Sequence, residues 1–188
     1  MSIWELTVEI GYNIAILVDR KGNMYHEKCS DYFKVQNDPF IRDLKIKVTE
    51  EGFSDVMTYI GVGGAFVVNA KVRKLIETYF GNLSIQFLPC FSKQYPDIDL
   101  WIMNVCEYHD VLDVPNCICR TGLNIDDKEV IMSIKKYAFT KAARKLYIFK
   151  IYINNEKNCF HIFVSDRFKT VMEENGVTGL ALKKVYSI

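Results

Sequence analysis

The chain has 188 residues, of which 49% are hydrophobic, 13% aromatic and 25% charged. That apolar share excludes a largely disordered polypeptide, and a domain of this length buries roughly 70% of its unfolded surface, so neither disulfide nor metal is needed to hold a core. Twenty-four basic residues against 23 acidic give a formal net charge of +1, too balanced for a dedicated nucleic-acid binder. No run approaches the roughly 18 apolar residues of a membrane span. The opening Met1-Ser2-Ile3-Trp4-Glu5 lacks a basic stretch followed by an apolar core. The expectation is a cytoplasmic protein with no membrane partner, whose six cysteines remain thiols.

In chain order, the first forty residues read as β structure. Trp4, Leu6, Val8 and Ile10 alternate with polar or small neighbours, the period-2 mark of a half-buried strand. Asn13 to Asp19 is a second apolar run, Arg20-Lys21-Gly22-Asn23 a turn, and Met24 to Glu27 the returning strand of a hairpin. Cys29 to Ser54, broken by Pro39 and Gly52, carries no pattern that places it. Gly61-Val62-Gly63-Gly64 precedes the apolar run Ala65 to Val68, and Asn69 is a helix N-cap. Val72, Leu75, Ile76 and Tyr79 follow at helical spacing, Gly81 ends the helix, and Ser84 to Leu88 is a strand stopped by Pro89. Leu100 to Val105 and Val130 to Phe139 are further apolar strands, and Lys145–Ile153 with Cys159–Val164 form a hairpin around the five-residue loop Asn154 to Asn158. Phe160 to Val164 then leads to the N-cap Ser165, a helix with Phe168, Val171 and Met172 on one face, the terminator Gly176, and an extended segment Val177 to Val185.

Val68-Asn69 therefore matches Val164-Ser165, and Val72, Leu75, Ile76 and Glu77 match Phe168, Val171, Met172 and Glu173. This reads as an internal duplication of a strand–helix–strand unit; any two amphipathic helices following strands would give the same register, so the alternative stays open. The fold class expected is α+β, with an antiparallel or mixed sheet and few helices. A single domain over 1–188 is expected, with two lobes split near residues 95 and 96 as the alternative.

Catalytic patterns are weak. The glycines at 61–64 precede a strand rather than joining strand to helix, so they are a turn and not a phosphate loop. His161, Ser165 and Asp166 lie close in sequence, but a triad is a matter of geometry, and no Gly-x-Ser-x-Gly pattern is present. The expectation is a protein that is not an enzyme and uses no cofactor. Cys106, His109, Cys117 and Cys119 offer ligand types that suit zinc, but Cys-x-Cys spacing is poor for a metal site. Lys135, Lys136, Lys141, Arg144, Lys145 and Lys150 beside Tyr137, Tyr147 and Phe149 offer a nucleic-acid alternative of stacking plus positive charge, which is also the pattern of an ordinary strand.

Charge is uneven along the chain. Asp97 to Val130 holds eight acidic residues against two basic, and Ile131 to Ile188 eleven basic against four acidic. Asp97, Asp99 and Trp101 share a strand face if that stretch is extended, with Glu107, Asp110 and Asp113 following. Acidic groups beside an aromatic can steer and anchor a basic protein partner; the competing reading is a solvated face paired with the chain's own Lys135-Lys136.

Phe163-Val164-Ser165-Asp166-Arg167-Phe168-Lys169, then Val171, Glu173-Glu174-Asn175-Gly176 and Thr178-Gly179-Leu180, resembles the closing signature of an immunity-protein family of bacterial polymorphic toxin systems. Gly63-Gly64, Val67-Val68, the helix to Glu77, Gln86-Phe87-Leu88-Pro89, Trp101 to Val105 and Leu112-Asp113 are similar to that family in the same order, so the resemblance spans residues 54–185. The chain departs from it at Asn69, Ala70 and Val72, where Ser, an acidic residue and Phe are expected, and at Leu180-Ala181-Leu182, which lacks an aromatic. The resemblance implies a non-enzymatic inhibitor that binds a cognate toxin domain. The toxin-binding residues expected are Asp97, Asp99, Trp101, Glu107, Asp110 and Asp113.

Overall fold

The computed structural model describes residues 1–8, 14–18, 44–48, 53–60, 64–81 and 83–187. The turn expected at 20–23, its return strand at 24–27, Ile10, His26, Cys29 and Gly61-Val62-Gly63 lie outside them. The protein is α+β, with two α-helices among the described residues, α1 (Ala70–Phe80) and α2 (Asp166–Glu174). Six strands close a barrel in the order β2 (Ile14–Val18), β3 (Leu44–Val48), β6 (Ile85–Ser92), β7 (Leu100–Val105), β5 (Ala65–Asn69) and β4 (Val56–Ile60). A second sheet runs β13 (Leu180–Ser187), β1 (Ser2–Val8), β12 (Glu156–Ser165), β11 (Ile148–Ile153) and β8 (Tyr108–His109). A two-stranded ribbon pairs β9 (Ile118–Leu123) with β10 (Glu129–Lys136). The barrel thus takes β7 from the second half of the chain and the second sheet takes β1 from the first, so a division at residue 95 would cut both.

The two strand–helix–strand units have the same topology. β5 and β6 each pair antiparallel with β7, so they run parallel to each other with one strand between them. β12 and β13 each pair antiparallel with β1 in the same way. In both units the helix carries the chain over that intervening strand. Both helix starts are capped as their sequences expect: Val72 N donates to Asn69 Oδ1 at 3.1 Å and Phe168 N to Ser165 Oγ at 3.3 Å, each cap contributing about 1 kcal/mol.

The helices meet in one core. α1 buries Val72, Ile76 and Phe80, and α2 buries Phe168, Val171 and Met172. Leu75 only flanks this core and Tyr79 is exposed, so the buried stripe of α1 is rotated from the expected one toward Phe80. The Phe80 ring stands 5.4 Å from both Tyr147 and Phe168. Leu6, Ile148, Ile162 and Val164 close this core from the second sheet, and Val68, Met103 and Val105 from the barrel. The opposite face of the second sheet carries Ile3, Phe149, Ile151 and Phe163 into a second core, roofed by Leu112, Tyr137, Phe139 and Ala143. That covering explains why β1 buries both odd and even residues instead of alternating cleanly.

A carboxylate joins the two repeated units. Asp55 accepts from Thr178 N at 2.9 Å, Thr178 Oγ1 at 3.1 Å, Lys71 Nζ at 3.0 Å and the Asn69 side-chain amide at 2.6 Å. Val56 N donates to Thr178 O at 3.1 Å. Gly179, at φ +80°, packs directly on the Val56 carbonyl.

Three expected strand boundaries are corrected. The strand expected to stop at Pro89 runs on to Ser92, with Pro89 opposite Trp101. The β11–β12 connection is not a five-residue loop. Asn154 and Asn155 alone make the turn, at φ 54° and 63°, the left-handed pair of a two-residue type I′ hairpin, and Glu156 to Asn158 already belong to β12. The strand expected over Val130–Phe139 ends at Lys136, because Tyr137 and Phe139 turn into the second core.

Candidate functional site

β7 separates the six expected contact residues into two groups. Its six residues place about 17 Å between its ends. Asp97, Asp99 and Trp101 stand at one end; Glu107, Asp110 and Asp113 follow the other. Asp97 is not on a strand. It lies in a turn closed by Ile98 N donating to Tyr95 O at 3.2 Å, and the extended stretch begins only at Leu100. Asp97 and Asp99 are both exposed and make no hydrogen bond or ion pair with the described residues.

Trp101 is half-buried and is the centre of a small stack. The Arg73 guanidinium lies 4.9 Å from its ring and 5.5 Å from that of Phe87. Arg73 Nε donates to Glu77 Oε1 at 2.8 Å, so the arginine is held from the helix side and from the sheet side at once. Such a stack contributes about 0.5–1 kcal/mol at an exposed site. Beside it runs a groove of about 320 Å³ lined by Ile76, Glu77, Gly81, Leu83, Ile85 and Phe87. It lies between the end of α1, at Ile76, Glu77 and Gly81, and the start of β6, at Ile85 and Phe87. Groove and stack share Phe87, and Asp99 precedes Trp101 by two residues in the chain.

The other three acidic residues differ. Glu107 accepts from Ser84 N at 2.8 Å and faces His109 Nε2 at 3.2 Å. Asp113 accepts from the Asn116 amide at 2.9 Å. Both serve internal contacts, and only Asp110 of this group is exposed without one among the described residues. The alternative in which the acidic segment pairs with the Lys135-Lys136 strand is met at the backbone, since β9, within residues 97–130, pairs with β10 and sets Ile118 opposite Lys136, but among the described residues no ion pair joins its carboxylates to either lysine.

The four metal-ligand candidates are not brought together. Cys106 exchanges contacts with Asn104, and its thiol is pushed up by burial. Cys117 Sγ accepts from Ala138 N at 3.3 Å in the second core, with its thiol also pushed up by burial. Among the described residues no three His, Cys, Asp or Glu side chains converge on a common point. The nucleic-acid surface is corrected too. Tyr137 and Phe149 are buried, Tyr147 packs against Phe80, and Lys150 is only 2% exposed, so no stacking platform faces water there.

Lys150 is the least expected of these. Its Nζ donates to Asn104 Oδ1 at 3.4 Å and lies 5.7 Å from the Tyr108 ring. Burial holds its amine below the ordinary lysine value, with Cys159 and Cys106 nearby acting in the opposite direction. Sequence reasoning also missed Arg73 and Phe87. The Arg73–Glu77 pair was visible as an i,i+4 couple, but its place over Trp101 depends on the strand order.

No protein-family model matches the chain, and no curated protein matches it.

Proposed function

We propose that this chain is an immunity-type inhibitor, a cytoplasmic protein that is not an enzyme and that silences a toxin domain by direct binding. The resemblance of residues 163–180 to immunity proteins supports the class. The observation that carries the binding face is the Trp101–Arg73–Phe87 stack, standing between an apolar groove and two exposed aspartates without partners among the described residues. Trp and Arg are the side chains most often found to dominate protein–protein affinity. Asp97 and Asp99 supply charge that would speed encounter with a basic surface.

The test is growth rescue. Candidate toxin domains are induced one at a time in a host with and without this chain, and the two proteins are co-purified. Rescue with co-purification supports the reading. Asp97→Lys with Asp99→Lys is expected to slow association and weaken its salt dependence, and Trp101→Ala to raise dissociation. Rescue and affinity unchanged in both variants would remove this face from the proposal.

A further inference from the structure

A second surface lies away from the Trp101 face, between the ribbon and the β11–β12 hairpin. It is an open groove of about 430 Å³. Met132 and Phe160 form its lips and are 63% and 67% exposed. Ile131, Ile153, Tyr137 and His161 line it further in. The groove persists because the hairpin outruns its sheet. β1 pairs with β12 only from Ile162 to Ser165, and β11 pairs with Glu156 to Asn158 but not with Cys159 to His161, where the register shifts and Asn158 Oδ1 accepts from Phe160 N and His161 N. The ribbon is pinned alongside by one side chain: Asn154 accepts from Ile131 N at 2.9 Å and donates to Ile131 O at 3.0 Å. Apolar side chains this exposed, gathered at one cleft, mark a protein contact.

The surrounding charge selects the partner. Lys135 and Lys136 follow directly from the groove wall on β10, and Lys157 stands in the wall itself. All three are exposed, and none makes an ion pair with the described residues. Glu156 is the only carboxylate among the lining residues, and Glu5, the carboxylate nearest His161, is engaged by the His161 Nδ1. We infer that this groove docks an acidic protein segment, which seats an apolar side chain between Met132 and Phe160 while its carboxylates meet Lys135, Lys136 and Lys157. A nucleic acid fits less well, since Phe160 is the most exposed ring there, Tyr137 is buried, and the His161 ring is engaged by Glu5.

The probe is a synthetic peptide in which Asp and Glu alternate with Leu and Phe, titrated into the full chain while the Met132 methyl and the Phe160 and His161 ring signals are followed by NMR. The expected result is saturable shifts at those positions. Phe160→Ser is expected to weaken binding about fivefold or more, and Lys135→Glu with Lys136→Glu about tenfold, with both variants keeping the far-ultraviolet circular dichroism of the parent. A peptide with Lys replacing Asp and Glu should leave the signals unmoved. Equal shifts with the basic peptide, shifts elsewhere on the surface, or affinity unaffected by Phe160→Ser would each overturn the inference. So would tighter binding of oligothymidine, which would make this a nucleic-acid surface. Concentration-dependent shifts without any probe would likewise overturn it, making the occupant a second copy of the chain. The growth-rescue experiment reads a different face, so either proposal can fail alone.

Discussion

Two glycines of the closing motif share a backbone conformation but not an environment, and that difference fixes what alanine does at each. Gly176 has φ +58° and nothing within 4 Å of the position a Cβ would take. Gly179 has φ +80°, and its Cβ would run into the Val56 carbonyl oxygen and stand 2.8 Å from Ser54 Cβ. The left-handed conformation alone costs an L-residue about 1–2 kcal/mol, and the reduced freedom of the unfolded chain returns roughly 0.4–1 kcal/mol. Gly176→Ala is therefore expected to destabilise by about 1 kcal/mol. Gly179→Ala carries the same cost and also forces two backbones apart. The bonds at risk are Val56 N to Thr178 O at 3.1 Å and Thr178 N and Oγ1 to Asp55 at 2.9 and 3.1 Å. At about 1 kcal/mol net for each, the expected total is roughly 3–5 kcal/mol. Urea unfolding followed by tryptophan fluorescence measures both; in thermal scans each kcal/mol shifts Tm by about 2–4 °C at this size. Equal losses in the two variants would refute the reasoning, because the close approach to Val56 would then carry no energy.

Asp55 should make the fold acid-sensitive. Burial raises its pKa, but the bonds from Thr178, Lys71 and Asn69 outweigh that and hold the carboxyl below its ordinary 3.8. A depressed carboxylate contributes stability that is present above the unfolded pKa and lost as pH falls through the folded one. Asp55→Asn should therefore lower stability at neutral pH and flatten its decline below about pH 4; an acid limb as steep as the parent's would contradict this. Lys150 should act at the other end of the scale. Its amine is held below the ordinary 10.5 by burial, so the unfolded chain binds the extra proton and stability rises with pH through that window. Lys150→Met should remove that rise, measured as unfolding free energy from neutral pH to about pH 10; parallel curves for the two proteins would show that the amine is not desolvated.

What the sequence shows of this fold is what depends on near neighbours. Asn69 and Ser165 are legible as caps because the acceptor and the donor it meets are three residues apart. The β11–β12 turn is misjudged because Asn158 looks like a turn former, whereas its side chain accepts from Phe160 N and His161 N, at 3.2 Å each, within a strand. Lys150 alternates with Phe149 and Ile151, which reads as a lysine pointing to water. The second sheet is covered on both faces, and Lys150 shares the side of Ile148, which packs toward the barrel. Trp101 is picked out by its chemistry, but Arg73 and Phe87 join it only through the order β5-β7-β6. The acidic run is continuous in sequence and divided in space by the length of one strand.

The closing motif is absorbed by the architecture, and the comparison of the two units shows why. Ser165 caps α2, Phe168 fills the core, and Thr178 and Gly179 dock on Asp55 and Val56. Asp166 accepts from Ser2 N and, at 2.8 Å, from Trp4 Nε1, so it ties the start of α2 to the middle strand of its own unit. The first unit has Ala70 at that position. Its middle strand, β7, is the hairpin partner of β6 and is held by the chain itself. β1 has no such hairpin to β12 or β13, and Asp166 ties it to α2. Asp166→Ala should accordingly accelerate amide exchange at Ile3 to Leu6 more than at Leu100 to Val105. Uniform acceleration across both strands would mean that Asp166 stabilises the whole fold and not the seating of β1. Residues occupied in this way specify a shape, so under the two proposals partner choice would fall to exposed residues that neither helix nor cap engages: Asp97, Asp99, Met132 and Phe160.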